Sequence, residues 1–320
     1  MKIDVHNHYY PENYWNFLLK IAETKTFPID VCRIISYYAN KGLLVKIEDA
    51  IASMEKLGIG IQVLSLSIPN VYMSDEMMSL DLAQMVNDTY VEIRNKYPGK
   101  FFVLASVPLN SPNNAIKELD RAIEKLKMNV IVLGSNIRGK SLSSSGFFPF
   151  YERVNELKIP IFLHPMSPPH MEEDEYFTAP LVNYIFETTL AITNMVFAGV
   201  FEKFPNIKMI LPHLGGAIPY ILGRIDNGYR NHSQCRKNIS KKPSDFFKEF
   251  YYDIISFNIP AIKCAIEIVG CDHIVFGTDY PFQPLGSVAL INKSLEDLNL
   301  SKKDKELIES RNILKILNNI

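Results

Sequence analysis

With 320 residues, 47% of them hydrophobic and 22% charged, the chain can bury a large core, which excludes a disordered or fibrous polymer. Its 34 basic residues stand against 35 acidic ones for a net charge of −1, and its basic clusters, Arg236-Lys237 and Lys241-Lys242, are short, so no nucleic-acid partner is expected. Met1-Lys2 runs straight into Ile3-Asp4-Val5 without the apolar region of a secretion signal, and the most apolar long stretch, Leu190 to Phe201, is too short for a bilayer and carries Thr193 and Asn194, so neither export nor a membrane segment is expected.

Short β-branched or aromatic runs alternate with amphipathic stretches of helical period, the pattern of repeated βα units around a parallel sheet. The first predicted strand is Ile3–His8. Tyr9 to about Lys46 follows, rich in aromatics and helix formers but outside the repeat, and reads as a small insertion placed to overhang the mouth of the fold. A helix comes next, with Ile47, Ala50, Ile51, Met54 and Leu57 on one face and Gly58 as its stop, and then a strand at Ile61–Leu66. After a strand at Phe101–Val107, Ser111 as N-cap and Pro112 at the first helical position open a helix whose Ala115, Ile116, Leu119, Ala122, Ile123 and Leu126 share a face. Further strands are predicted at Val130–Leu133, Ile161–His164, Met209–His213, Tyr251–Ile254 and Ile274–Asp279, with the serine-rich Gly139–Gly146 as a mobile loop after the fourth and Leu190–Phe201 as a buried helix. Eight strands in this alternation predict an α/β fold, a single (β/α)8 barrel domain over residues 1–320 with an insertion at about 9–46. Cys32, Cys235, Cys264 and Cys271 have neither paired metal spacing nor a small domain to staple, and read as reduced thiols of a cytoplasmic protein.

His6 and His8 stand two apart at the end of the first strand, so the strand period points both side chains the same way. Taken alone, such a pair reads more simply as two polar residues at a strand end. His164, His213 and Asp279 also end predicted strands, however, and a barrel gathers the C-terminal ends of its strands at one mouth, so these five residues are expected to be neighbours. Three or four imidazoles with one carboxylate suit Zn²⁺ and also accommodate Mn²⁺ or Fe²⁺. The remaining histidines separate on the same argument. His273 begins the last strand and should lie ~20 Å from Asp279, at the other end of the barrel. His232 lies in the polar stretch Asn231–Lys242 and is expected in solvent, whereas His170, in the loop just past His164, is a candidate for facing a substrate. The acidic run Glu172-Glu173-Asp174-Glu175 reads as a solvated loop. Gly215-Gly216 follows a strand but lacks the spacing of a phosphate-binding loop, so no nucleotide cofactor is expected.

Several ordered motifs carry a family likeness. Ile3-Asp4-Val5-His6-Asn7-His8 with Tyr10-Pro11 opens the chain, and Phe162-Leu163-His164-Pro165 stands at its middle. Gly199-Val200-Phe201-Glu202-Lys203-Phe204-Pro205, His213-Leu214-Gly215-Gly216 and Leu222-Gly223-Arg224-Ile225-Asp226-Asn227 follow, then Gly277-Thr278-Asp279-Tyr280-Pro281-Phe282 and a closing Arg311-Asn312. Over nearly its whole length the chain thus resembles the amidohydrolase family of the aminocarboxymuconate-semialdehyde decarboxylase type. The resemblance implies a single metal ion on His6, His8, His164 and Asp279, since no lysine at a strand end offers a bridging carbamate. It implies that His213 acts beside the metal-bound water, and that Arg224 reaches a neighbouring subunit's site to bind a substrate carboxylate, hence a homodimer. The family's second substrate-binding arginine comes from the early insertion, where Arg33 is the main basic candidate beside Lys41 and Lys46.

The activity implied is non-oxidative decarboxylation of a small unsaturated or aromatic carboxylic acid, with His213 and Asp279 handling the proton and one divalent ion, Zn²⁺ or Mn²⁺, as cofactor. Arg224, Arg33, His170, Tyr280 and Phe282 are the candidate substrate contacts, and Tyr9, Tyr10, Phe147 and Phe148 also fall near predicted mouth loops. The same constellation would serve a hydrolase or hydratase acting on a lactone, amide or enol, and a non-catalytic metal-binding protein is the alternative outside enzymes.

Overall fold

The computed structural model describes residues 1–23, 32, 35, 46–168 and 176–318. Among them, eight parallel strands follow one another around the sheet in chain order: β1 (Lys2–His8), β2 (Ile59–Ser65), β3 (Phe101–Val103 and Ala105–Ser106), β4 (Ile131–Gly134), β5 (Ile161–His164), β6 (Met209–Leu211), β7 (Tyr251–Asp253) and β8 (Ile274–Val275). Leu104 interrupts β3, whose first part pairs with β2 and whose second pairs with β4. The ring closes between β8 and β1, where Val5 N donates to Phe276 O at 3.0 Å and Asn7 bridges to Tyr280 in parallel. This is the (β/α)8 barrel that the alternation of patterns predicts, and closure leaves the barrel sheet without edges.

The barrel interior is filled by Ile3, Val5, Val63, Leu104, Val130, Val132, Phe162, Ile210 and Val275, with Ile313, Ile316 and Leu317 of the C-terminal helix packed on the same cluster. Alternate strand residues such as Ile131, Leu133, Ile161 and Leu163 face outward into the larger core beneath the helices. Helix α1 (Glu12–Ala22) lies within the early insertion, and its Tyr14 hydroxyl donates to Asn70 O while Tyr10 OH donates to Ile68 O at 2.8 Å. Those bonds fasten the insertion to the loop beyond β2. The insertion's Arg33 and Lys41 lie outside the described residues.

Helix α2 (Ile47–Leu57) ends at Gly58, which adopts φ +66, as the stop signal predicts. Next come α3 (Glu76–Lys96) and α4 (Pro112–Asp120); Ser111 occupies the N-cap of α4, but its side chain makes no capping bond. The Gly139–Gly146 segment departs from the expected mobile loop. Asn136–Ile137 and Lys140–Ser141 pair as an antiparallel hairpin, and Tyr151 OH, on helix α5 (Phe148–Leu157), donates to Leu142 O at 2.8 Å. Leu190 is likewise not in a wholly buried helix. It lies on α6 (Tyr184–Phe197), which buries Thr188, Ala191, Ile192 and Met195 while Phe186 and Leu190 stay exposed, because one face of the helix meets the barrel and the other does not.

Candidate metal centre

His6, His8, His164 and Asp279 each offer a ligand atom, and these four atoms lie within 4.8 Å of one another at the C-terminal mouth of the barrel. The strand pleat explains His164: Phe162 packs in the barrel interior, and two residues later the imidazole emerges on the same side. On β1 the pairing register against β2 slips between Asp4 and Asn7, so strict alternation does not hold, yet the His6 and His8 rings still meet edge to face with centroids 5.1 Å apart. Asp4 anchors this stretch. Its buried carboxyl accepts from Thr278 Oγ1 at 2.7 Å and from Thr278 N at 2.9 Å, tying β1 to the segment that carries Asp279.

Two of the five converging residues do not end strands as predicted. β6 stops at Leu211, and His213 stands in a tight turn where His213, Leu214, Gly215 and Gly216 have φ of 51, 57, 73 and 67. β8 stops at Val275, and Asp279, with φ 58, is held by its own N–H donating to His6 O at 2.7 Å. Both side chains are therefore aimed by left-handed backbone and not by a strand's pleat.

The hydrogen bonds around the imidazoles fix their tautomers. His6 Nδ1 lies 2.7 Å from Asp253 Oδ2, and a carboxylate can only accept, so Nδ1 carries the proton and Nε2 is a bare lone pair. Ser65 Oγ donates to Asn7 O, which leaves it to accept from His8 Nδ1 at 3.3 Å. His164 Nδ1 donates to Pro165 O at 2.9 Å. Three bare Nε2 atoms therefore face inward, and those of His6 and His8 are buried without a hydrogen-bond partner among the described residues. They lie 3.4 and 3.2 Å from Asp279 Oδ1, and lone pairs facing a carboxylate oxygen at that range repel unless a cation stands between them. Burial pushes His8 down to about 4 and His164 well below the ordinary imidazole range, which keeps both neutral and able to ligate. Burial works against ionised Asp279, but contact with His213 leads the effects that oppose it, and the carboxyl is held well below the usual carboxylate range. Three neutral imidazoles and one carboxylate form a donor set that fits one divalent ion.

His213 completes the group, with Nε2 3.7 Å from Asp279 Oδ2. Burial lowers its affinity for a proton, but Asp279 more than restores it, and the net shift is upward. Beyond the cluster opens a cavity of about 780 Å³, which His164, His213 and Asp279 line together with Ser67, Phe257, Phe282 and Gln283. The Phe282 ring, 5.1 Å from the His8 ring, is where a substrate contact is expected. Tyr280 does not reach the cavity. It is buried, and burial together with the charge of Asp49 on α2 pushes its phenol up, while the hydroxyl of Ser53 on the same helix acts the other way. Of the other aromatics named from the sequence, Tyr9, Tyr10, Phe147 and Phe148 are not among the cavity's lining.

Arg224 is exposed on α7 (Ile218–Asn231), one turn past the cavity-lining Tyr220, and among the described residues it forms no ion pair. Asp226, two residues on, accepts from Ser244 N at 2.9 Å. His170 lies outside the described residues, as does the acidic run at 172–175. His232 is exposed, and His273 Nδ1 donates to Val269 O at 3.1 Å, away from the cluster, as their positions predict. Three side chains at the site were not singled out from the sequence. Asp253 closes β7 just as His164 closes β5, so the strand-end rule could have found it. Ser67, whose Oγ lies 3.2 Å from His164 Nε2, and Gln283, whose Nε2 donates to Asp279 Oδ2 at 3.4 Å, sit in loops and carry no pattern that marks them.

A closed parallel barrel with a His₃Asp cluster at its C-terminal mouth defines a metal-dependent barrel protein. The chain belongs to the amidohydrolase family, whose profile, described as Amidohydrolase, matches residues 3–318. Among curated relatives, 2-amino-3-carboxymuconate-6-semialdehyde decarboxylase of Dictyostelium discoideum is 30% identical, covering 99% of this chain and 91% of its own. Gamma-resorcylate decarboxylase of Polaromonas sp. (strain JS666) is 29% identical over 85% of this chain and 89% of its own. Among solved structures, 5-carboxyvanillate decarboxylase from Sphingomonas paucimobilis shares the fold with a TM-score of 0.91 at 22% identity, covering 99% of this chain and 98% of that one. Dihydroxybenzoic acid decarboxylase from Polaromonas sp. JS666, solved with bound manganese and 2-nitroresorcinol, aligns with a TM-score of 0.80 at 26% identity over 99% of this chain and 96% of that one.

Proposed function

We propose that this protein is a metal-dependent, non-oxidative decarboxylase of a small aromatic or unsaturated carboxylic acid. The observation that carries the reading is His213 Nε2 set 3.7 Å from Asp279 Oδ2 on the cavity side of the cluster, a proton carrier beside a group that also serves the metal. The decarboxylases related to the chain over nearly its full length support it. His6, His8, His164 and Asp279 would hold one divalent ion, and when bound it supplies positive charge that polarises the substrate's oxygens. The donor set suits zinc, and the relative solved with manganese supports that ion as well; metal analysis of the purified protein decides between them.

In the reaction the bond from the carboxyl carbon to the ring or chain breaks and CO₂ departs. The electron pair stays on the substrate carbon and must be delocalised onto a phenol, enol or enamine. A proton replaces the lost carboxyl group. His213 holds that proton, and Asp279 is placed to pass it toward the carbon from its Oδ2 side. Ile68, Leu214, Ile255, Phe257 and Phe282 form apolar walls that exclude water and fit a flat ring.

The substrate's carboxylate would meet Arg224 of a second copy, in a homodimer. Phe177, Leu181, Tyr220 and Phe257 are exposed at the cavity rim, and Val182, Phe186 and Leu190 continue an exposed apolar stripe at four-residue spacing. Such a contiguous patch is what a second copy would cover. Arg33 and His170 are further candidate contacts.

The test is to supply hydroxylated benzoates and unsaturated acids to metal-loaded protein in ¹⁸O-labelled water and to follow CO₂ and label together. CO₂ release without label in the organic product is expected. Hydrolysis or hydration, with label incorporated and no CO₂, overturns the reading.

A further inference from the structure

The hydroxyl of Ser67 occupies an unusual position. It is buried beside the cluster, lines the cavity, and has one hydrogen-bond partner among the described residues, His164 Nε2 at 3.2 Å. Since His164 Nδ1 is committed to Pro165 O, Nε2 has a lone pair and no proton, and Ser67 is the donor. Nε2 is also the atom that would ligate an ion. One lone pair cannot serve a cation and the Ser67 proton together.

We propose that Ser67 is a substrate-positioning residue, its hydroxyl, 3.2 Å from His164 Nε2, turning to an oxygen of the bound substrate when an ion engages that lone pair. The inference rests on the decarboxylase reading for the identity of that substrate, but not for the displacement itself. The surrounding backbone restricts where the hydroxyl can go. Asn70 N donates to Ser67 O at 2.8 Å, Ile68 O accepts from Tyr10 OH, and Asn70 O accepts from Tyr14 OH, so the early insertion clamps the segment from both sides. Rotation about the Cα–Cβ bond is the freedom that remains, and it swings the hydroxyl between staggered positions. Burial denies it bulk water, and the cavity it lines is where an acceptor oxygen would come to lie. A carboxylate or a ring oxygen offers the same acceptor chemistry.

Two readouts on Ser67→Ala test this, with Ser67→Thr as the variant that keeps the hydroxyl. In the metal-free form the alanine leaves His164 Nε2 without its donor, so zinc and manganese should bind about threefold or more tightly than to wild type. Once loaded, the same variant should bind an inert acceptor about tenfold more weakly by calorimetry, the effect of one lost hydrogen bond. Benzoate presents only a carboxylate, and 2-nitroresorcinol presents ring oxygens and a nitro group. Weakening of benzoate assigns the carboxylate as the acceptor, and weakening of 2-nitroresorcinol alone assigns the ring side. Unchanged or weaker metal binding overturns the displacement, and wild-type affinity for both probes overturns the positioning role. Neither probe turns over, so wild-type protein that binds them but releases no CO₂ from any acid sinks the decarboxylase reading and leaves the role of Ser67 standing.

Discussion

Asp253 settles which nitrogen of His6 is free, and that single hydrogen bond turns a strand-end histidine into a ligand with a defined direction. The same carboxylate accepts from Leu214 N at 3.1 Å and Ile255 N at 3.0 Å, so it also steadies the turn that carries His213. Replacing it by alanine should lower metal affinity about 10- to 100-fold, as loss of a partner behind a ligand does elsewhere, with Asp253→Asn recovering part of the loss. Competition with a chromophoric chelator measures this. His213→Ala should instead leave metal content intact and cut kcat by about 10²-fold or more, because it removes the proton carrier and none of the four ligands. Retained turnover in that variant would return the site to a plain metal-binding role. At this scale the sequence was readable where chemistry and position coincided, as at His6, His8 and His164. It was silent about Ser67 and Gln283, whose importance lies wholly in what stands opposite them.

Elements explain why His213 and Asp279 reach the site although their strands end early. The turn after β6 holds consecutive left-handed residues, and at Gly216 a methyl group would run into Ile185 O and Thr189 Oγ1 on α6. Gly216→Ala should therefore cost roughly 2 kcal/mol or more of stability, and it should lower kcat in the surviving folded protein by displacing His213. Denaturant midpoints and steady-state rates measure the two effects separately. Hydrophobic periodicity gave the strands and helices their order, and Gly58 and Pro112 marked real boundaries, because those signals depend on local backbone preference. The register slip in β1, the interruption at Leu104 and the two left-handed turns follow from how neighbouring segments fit, which no local pattern records.

Across the whole molecule the four ligand residues come from β1, β5 and the segment beyond β8, and β8 and β1 are neighbours only because the barrel closes. A bound ion ties the first and last strands together and binds the folded chain alone. Chelation should then leave secondary structure intact while lowering Tm, by on the order of 10 °C if the free ion had stood near 1,000 times Kd, and readdition should restore it. Differential scanning fluorimetry with and without chelator reads this directly. Arg224→Ala belongs to the same scale, since its effect depends on assembly: a raised KM in a protein that sediments as a dimer is expected, and a monomeric wild type would remove the argument for a shared site. The sequence by itself determined the α/β alternation, the eight-strand count and the residue types able to hold a metal, because propensity, periodicity and donor chemistry are properties of short segments. Only the tertiary structure decided which nitrogen of each histidine faces inward, that Tyr280 turns away while Phe282 lines the cavity, and that Asp253 stands behind His6 while Ser67 faces the ligating nitrogen of His164, because each of these depends on contacts between segments far apart in the chain.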